Sequence, residues 1–182
     1  MDTNHALFLD RDGTIINDCE GVLHEKNILF EEGLKDFLEI ALKKNYFIIM
    51  VSNQTSVSKG LISYEKMNNI NNILLLRIND LLGQNVFNEV FICPYHPDAQ
   101  VLKYRINSED RKPKPGMFFK AQKRLNINLK NSIMVGDRVS DIVAGNLAGC
   151  KTVLKINKFS NLKMITTNLK YSKEMEQPNY KI

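Results

Sequence analysis

Short runs of apolar residues recur along the chain, and polar segments of varying length separate them. Continuous apolar runs of about this length, here three to six residues, are typical of strands that are buried on both faces, as in a parallel sheet. We therefore expect strands at residues 6–10, 47–52, 90–93, 133–135 and 152–156.

The segments between these runs place apolar residues at helical spacing. The clearest pattern covers residues 31–44, and Ser63 is a candidate cap for a helix that continues to about residue 82. Pro115 suits the start of a third helix, and a fourth is expected over residues 139–147, before Gly149. Strands that alternate with helices predict the α/β class, with a Rossmann-like, doubly wound parallel sheet in one domain over residues 1–156.

Composition and charge narrow the classes of function. Residues 157–182 form a basic C-terminal tail, and residues 151–182 hold seven lysines and two glutamates, which accounts for the whole net charge of +5. The body of the chain is therefore neutral, and we expect no nucleic-acid partner. No apolar stretch reaches the roughly 20 residues that cross a bilayer, so we expect no membrane association. Three scattered cysteines and the lack of a signal-peptide pattern favour a cytoplasmic protein.

Acidic residues follow the first and fourth apolar runs. Asp10 and Asp12 face the same side of an extended segment, and Asp137 follows another strand, with Asp141 four residues later. Because ligands bind beyond the carboxyl ends of parallel strands, we expect these carboxylates to converge there. Clustered carboxylates repel one another unless a cation intervenes, and Mg²⁺ prefers oxygen ligands. The sequence therefore predicts a magnesium site.

Four motifs together resemble the haloacid dehalogenase (HAD) superfamily. They are DRDGT at residues 10–14, Ser52 at the end of the second strand, Lys112 ahead of a helix, and GDRVSD at residues 136–141. The resemblance spans about residues 6–156 and implies the HAD fold, here without a large cap domain, and a phosphoryl-transfer site.

The resemblance also implies a role for each matching residue. Asp10 would be the nucleophile that forms an aspartyl-phosphate, and Asp12 would be first the general acid and then the general base. Ser52 and Lys112 would hold the phosphoryl oxygens. Mg²⁺ would be bound by Asp10, the backbone carbonyl of Asp12 and Asp137, with Asp141 in support. A carboxylate nucleophile divides hydrolysis into two easier steps, and a cation and a lysine suit the charge of the transferred group.

A finer resemblance concerns the substrate. The segments SNQTSVSKG (52–60), CPYHP (93–97) and RKPKPGM (111–117) are similar to those of the D-glycero-D-manno-heptose 1,7-bisphosphate phosphatases. This implies a phosphatase that removes the 7-phosphate of a small sugar bisphosphate, and we expect the chain to be a monomer. The alternatives are a histidinol-phosphate phosphatase and a catalytically inactive phosphate-binding module. The candidate substrate-binding residues are Asn53, Gln54, Lys59, Arg111 and Arg138.

The loop after Cys93 departs from the pattern of these phosphatases, which often bind a structural zinc ion there. Cys93 matches the first ligand, but Tyr95, Ser108 and Asp110 replace the other three. Tetrahedral zinc needs about four good donors, so we expect no structural zinc in this loop.

Overall fold

The computed structural model describes residues 4–18 and 23–154, and they contain a five-stranded sheet. The strands confirm the five predicted from the apolar runs, although the predicted end of the last one, at residues 155–156, lies outside the described residues. The basic tail and its boundary at residue 156 also lie outside them. The strands are β1 (Ala6–Leu9), β2 (Phe47–Asn53), β3 (Glu89–Cys93), β4 (Ile133–Gly136) and β5 (Lys151–Leu154).

The sheet is parallel throughout, in the order β3-β2-β1-β4-β5. The central strand β1 pairs with β2 and β4, so that Leu9 lies level with both Met50 and Val135. The chain reverses its direction of travel across the sheet at β1. Such a switch point opens a crevice beyond the carboxyl ends of the strands, and there the acidic residues lie.

The predicted helices are present, with shifts at their ends. Ser63 Oγ accepts a hydrogen bond from the backbone N–H of Lys66 (3.1 Å), which confirms the predicted cap. The first helix begins three residues later than its apolar pattern, because Gly33 adopts a left-handed φ of 82° at its cap. The short helix over residues 55–58 was not predicted. The helices are α1 (Leu34–Lys43), α2 (Thr55–Ser58), α3 (Tyr64–Leu82), α4 (Gly116–Leu125) and α5 (Val139–Ala148).

Two apolar cores lie on opposite faces of the sheet. Leu7 and Leu9 point into a core with α1 and α3, whereas Ala6 and Phe8 point into a core with α4 and α5. The Phe8 and Phe118 rings meet with centroids 4.7 Å apart. Helices on both faces confirm the doubly wound architecture. A Phe-to-Ala change in such a core destabilises a protein by about 3–5 kcal/mol.

The connection from β3 to α4, residues 94–115, is a long irregular segment. It contains a single 3₁₀ turn, Leu102–Tyr104, and no insertion the size of a cap domain interrupts the described ranges. Within residues 4–18 and 23–154, no helix has the length and apolar character that crossing a bilayer requires. The crevice above the sheet is therefore bordered by loops.

Candidate active site

The predicted catalytic residues meet at the carboxyl edge of the three central strands. Asp10 follows β1, Ser52 lies near the end of β2, and Asp137 follows β4. The backbone N–H of Asp10 donates to the carbonyl of Val135 (3.1 Å), which extends the pairing of β1 with β4 by one residue. The strand register thus brings the two acidic strand ends together, as the sequence predicts.

Three carboxylates form a tight cluster at this edge. Asp10, Asp137 and Asp141 each place one carboxylate oxygen within 4.8 Å of the others. Burial, followed by the negative charges of Asp10 and Asp141, raises the pKa of Asp137 to about 6. Oδ1 of Asp137 is buried and has no hydrogen-bond partner among the described residues. An unsatisfied oxygen in an acidic cluster fits the oxygen-rich coordination of Mg²⁺.

Gly13 lets the backbone pass directly beside this cluster. It adopts a φ of 74°, and a Cβ atom at this position would lie 2.3 Å from Oδ2 of Asp137. Any side chain would therefore face both an unfavourable backbone conformation and a clash with the carboxylate. The glycine of the DRDGT motif is required by this close approach.

Lys112 is buried (3% exposed) and binds two acids of the cluster. Its Nζ lies 2.7 Å from Asp10 Oδ1 and 2.6 Å from Asp141 Oδ1. It also donates to the carbonyl of Val51 (2.7 Å). Burial alone would lower the pKa of Lys112, but the charges of Asp10 and Asp141 outweigh burial and raise it. Lys112 therefore supplies a permanent positive charge beside Asp10.

Asn53, outside the cluster, and Asp141, within it, hold this lysine in place. Asn53 accepts a hydrogen bond from the backbone N–H of Lys112 (3.1 Å) and donates to its carbonyl (2.9 Å). Asp141 accepts from the backbone N–H of Arg138 through Oδ2 (3.0 Å), so both of its oxygens are engaged. Asp141 thus anchors the lysine, and its predicted support of the metal ligands stays a prediction.

The carboxylate of Asp12 does not belong to the group of three clustered acids, so the expectation that all four carboxylates converge is wrong for Asp12. Arg11 donates from Nε to Oδ1 and from Nη2 to Oδ2 of Asp12, both at 2.9 Å. Gln54 donates to the same Oδ2 (3.2 Å) and to Ser52 Oγ (2.8 Å). The pKa of Asp12 is raised, because burial and the charge of Asp10 outweigh the opposing charge of Arg11. Asp12 is thus a separately held carboxyl beside Asp10.

A cavity of about 210 Å³ opens next to Asp12. Arg138 at its wall lies 3.5 Å from Asp18 Oδ2 and 3.9 Å from Asp137 Oδ2. Four of the five predicted substrate-binding residues line the cavity, and Arg111 does not. The lining residues are Arg11, Asp12, Asp18, Asn53, Gln54, Thr55, Ser56, Lys59, Leu61 and Arg138.

Arg111 instead supports the loop after β3. Its Nη1 donates to the backbone carbonyl of Tyr95 (3.1 Å). Cys93, two residues before Tyr95, is fully buried. Burial raises the pKa of the Cys93 thiol, and Ser108 and Asp110 lie close enough to affect it. His96 accepts the backbone N–H of Asp98 through Nδ1 (3.0 Å). Residues 93, 95, 108 and 110, the four positions of the zinc pattern, thus lie near one another. Tyr95, Ser108 and Asp110 replace the zinc ligands at three of these positions.

The sequence interpretation assigned no role to Arg11 or Asn71. Asn71 Oδ1 accepts a hydrogen bond from Arg11 Nη1 (2.7 Å), although the two residues are 60 positions apart. A signal for Asn71 did exist. It lies in register with Met67, Leu74 and Ile78 on the buried face of α3, where a polar residue needs a partner.

Comparisons with known proteins show what this chain is similar to. The HAD-hydrolase-like family model matches residues 110–156. The chain is 34% identical to the D-glycero-beta-D-manno-heptose-1,7-bisphosphate 7-phosphatase of Vibrio cholerae, over 83% of this chain and 80% of that protein. It is 35% identical to the D-glycero-alpha-D-manno-heptose-1,7-bisphosphate 7-phosphatase of Burkholderia mallei, over 84% of this chain and 80% of that protein.

Solved structures are similar as well. A HAD-like phosphatase from Mesorhizobium loti matches with a TM-score of 0.75 and 31% identity, over 81% of this chain and 70% of that one. The D,D-heptose 1,7-bisphosphate phosphatase of B. bronchiseptica, whose crystals hold magnesium and phosphate, matches with a TM-score of 0.72 and 24% identity. That match covers 82% of this chain and 79% of the other, and it supports the fold.

Proposed function

Because this chain belongs to the heptose-1,7-bisphosphate 7-phosphatase family of HAD-like hydrolases, we propose that it is a Mg²⁺-dependent phosphatase. Its substrate would be D-glycero-D-manno-heptose 1,7-bisphosphate, from which it removes the 7-phosphate. One observation of the site carries this proposal. Asp10 lies beside the positive charge of Lys112 (2.7 Å) and within the acidic cluster, so a nucleophile, a cation and a metal site meet at one point.

The proposed reaction has two steps. A carboxylate oxygen of Asp10 attacks phosphorus, the bond from phosphorus to the sugar oxygen breaks, and Asp12 gives its proton to that oxygen. Asp12 then takes a proton from water, which attacks phosphorus and releases inorganic phosphate and the free Asp10 carboxylate. Two observations support this division of roles. Asp12 is held apart from Asp10 by Arg11 and Gln54, and its pKa is raised.

Magnesium would be bound by Asp10, Asp137 and the backbone carbonyl of Asp12. When bound, it would neutralise charge on the phosphoryl oxygens. Lys112 would contribute its positive charge to the same group. Its three N–H donors are engaged with Asp10, Asp141 and Val51, so a hydrogen bond to a phosphoryl oxygen would require one of these contacts to be exchanged. Ser52 would donate to a phosphoryl oxygen, because a hydroxyl that accepts one hydrogen bond can still donate its own proton.

The sugar and its second phosphate would occupy the cavity beside Asp12. Lys59 and Arg138 both line this cavity, and each offers a positive charge to a phosphate. Arg111 is engaged with the carbonyl of Tyr95, so a contact with substrate would require that hydrogen bond to be exchanged. We therefore place Lys59 and Arg138 ahead of Arg111 as ligands of the second phosphate.

We also propose that the chain acts as a monomer in a reducing, cytoplasmic compartment. Cys93 and Cys150 are both buried and unpaired, as is typical of proteins outside oxidising compartments. Gel filtration with light scattering at working concentration would test the monomer, and a dimer mass would contradict it.

A substrate comparison tests the proposed function. Phosphate release is measured from the α and β anomers of the heptose bisphosphate and from histidinol phosphate, each with Mg²⁺ and with excess EDTA. We expect kcat/KM to be at least about tenfold higher for a heptose anomer, which corresponds to about 1.4 kcal/mol. EDTA should remove the activity. Faster hydrolysis of histidinol phosphate would favour that alternative.

A generic substrate separates catalysis from mere phosphate binding. An inactive phosphate-binding module would release no 4-nitrophenol from 4-nitrophenyl phosphate in the presence of Mg²⁺. We expect release by the wild-type chain and none after Asp10→Asn. Equal rates in the two proteins would instead point to a contaminating phosphatase.

A further inference from the structure

Arg11 lies between Asp10 and Asp12 and takes no part in the reaction proposed above. It is only 4% exposed, and buried arginines are rare unless they are paired. Its guanidinium contacts both oxygens of Asp12 at 2.9 Å, in the bidentate geometry that fixes the plane of a carboxylate. The orientation of Asp12 therefore depends on the orientation of Arg11.

Asn71 fixes the opposite side of that guanidinium. It lies on the buried face of α3, is 4% exposed, and accepts from Arg11 Nη1 at 2.7 Å. Burial of an amide is unfavourable unless it forms hydrogen bonds. The amide nitrogen of Asn71 has no hydrogen-bond partner in the described part of the chain, so within that part the bond from Arg11 is the side chain's one hydrogen bond. Asn71 thus connects Asp12, through Arg11, to a core helix.

The remaining contact of Asp12 comes from another element. Gln54, which follows β2, donates to Asp12 Oδ2 at a longer distance of 3.2 Å. The two shorter bonds from Arg11 therefore contribute more to holding the carboxylate. Arg11 itself has two anchored ends, the backbone turn after β1 and the side chain of Asn71. Removal of Asn71 would take away the hydrogen bond that holds the Arg11 guanidinium on the side away from Asp12.

We propose that Arg11 and Asn71 are positioning residues, which hold the Asp12 carboxyl where it can protonate the sugar oxygen that leaves phosphorus. This inference rests on the proposed phosphatase function. Asn71 is the residue to test, because among the described residues its side chain makes no hydrogen bond to Asp12 or to the three clustered acids. An effect of Asn71 on proton transfer must therefore pass through Arg11.

The test compares two leaving groups. A sugar alkoxide is a poor leaving group and needs its proton, whereas 4-nitrophenolate leaves without one. The rate of the first turnover is measured by rapid mixing, so that later hydrolysis of the aspartyl-phosphate does not enter. General acid catalysis contributes about 10²–10⁴-fold, so a misplaced acid should lose a sizeable part of that factor.

For Asn71→Leu we expect the first-turnover rate on heptose 1,7-bisphosphate to fall by at least about tenfold. The rate on 4-nitrophenyl phosphate should fall by less than about threefold, since its leaving group needs no acid. The substrate concentration that gives half the maximal rate should not change for either compound. Asp12→Asn provides the reference for complete loss of the acid and should have the same selectivity.

Asn71→Asp is the conservative variant. It keeps an acceptor oxygen for Arg11 Nη1 and replaces the amide nitrogen that has no partner among the described residues. We expect it to retain most of the first-turnover rate on the heptose bisphosphate. Asn72→Leu makes the same change at an exposed position of α3 and should leave both rates unchanged. Thermal melting confirms that each variant is folded at the assay temperature.

Three outcomes would overturn the inference. They are equal losses on both substrates after Asn71→Leu, no loss on either, and an Asn71→Asp variant as slow on the sugar as Asn71→Leu. Failure of the proposed function would be a different result, because the wild-type chain would then hydrolyse neither compound.

Discussion

Replacement of Lys112 by methionine isolates the charge at the centre of the site. Methionine has a similar length but no positive charge, so packing is largely kept. The ammonium group of Lys112 lies 2.7 Å from Asp10 and 2.6 Å from Asp141, and the lysine is buried. The variant therefore leaves two acids of the cluster without their shared cation.

The structure gives the expected size of the effect. Removal of one partner from a buried ion pair destabilises a protein by about 3–5 kcal/mol, because the other charge stays buried and unpaired. Small domains have a free energy of unfolding of about 5–15 kcal/mol, so the loss would be large. We expect Lys112→Met to lose about 3–5 kcal/mol at pH 8 without metal, and to lose phosphatase activity.

The deficit should depend on pH with a definite sign. Burial and Asp10 raise the pKa of Asp141, and Lys112 opposes this rise, so the pKa of Asp141 increases further in the variant. An acid with a raised folded-state pKa loses stability as pH rises through that pKa. The deficit of Lys112→Met should therefore be larger at pH 8 than at pH 5.

Urea denaturation at both pH values, in EDTA, measures the effect. The double variant Lys112→Met/Asp141→Asn is the control, because it removes one unpaired charge and should recover part of the stability but none of the activity. Wild-type stability of Lys112→Met at pH 8 would refute the buried ion pair. A deficit that grew on acidification would refute the explanation by Asp141.

Three further predictions concern the metal site and the loop. Gly13→Ala should abolish Mg²⁺-dependent turnover and lower stability by more than about 1 kcal/mol, since its Cβ would clash with Asp137; wild-type turnover and melting would contradict this. Mg²⁺ affinity, measured by calorimetry, should weaken by up to about tenfold per pH unit below 6, because the metal-free pKa of Asp137 is about 6 and Mg²⁺ needs the carboxylate. The direction of this pH dependence follows from the raised pKa of Asp137, because the metal-free protein loses stability as pH rises through 6 and bound Mg²⁺ restores it. Equal Mg²⁺ affinity at pH 5 and pH 7 would contradict this prediction. Protein purified without a His tag should contain less than about 0.1 equivalent of zinc, since Cys93 lacks the usual partner ligands, and one equivalent would overturn that expectation.

The periodicity of apolar residues along the chain predicted those strands and helices whose residue types match the burial of each position. The three central strands are short apolar runs buried on both faces, and Ser63 caps its helix through a local hydrogen bond. The start of α1 was placed too early, because the apolar pattern continues across Gly33, where the left-handed backbone delays the helix. The helix at residues 55–58 has a single turn, too short to give a periodic pattern.

The site was predictable to the extent that strand ends define it. Asp10 and Asp137 follow neighbouring strands, so topology alone brings them together. The contacts of Lys112 with Asp141 and of Arg11 with Asn71 could not be predicted in this way. They join a loop or turn to a helix distant in sequence, and nothing local in the chain determines which buried polar groups will pair.

Phosphorylation of Asp10 is the most direct test of the account. The enzyme is quenched in acid during turnover with Mg²⁺ and heptose 1,7-bisphosphate, and any aspartyl-phosphate is reduced with borohydride and located by mass spectrometry. The account predicts that residue 10 alone is modified, and that Asp10→Asn shows neither modification nor phosphate release. Modification at another residue, or substantial phosphate release by Asp10→Asn, would contradict it.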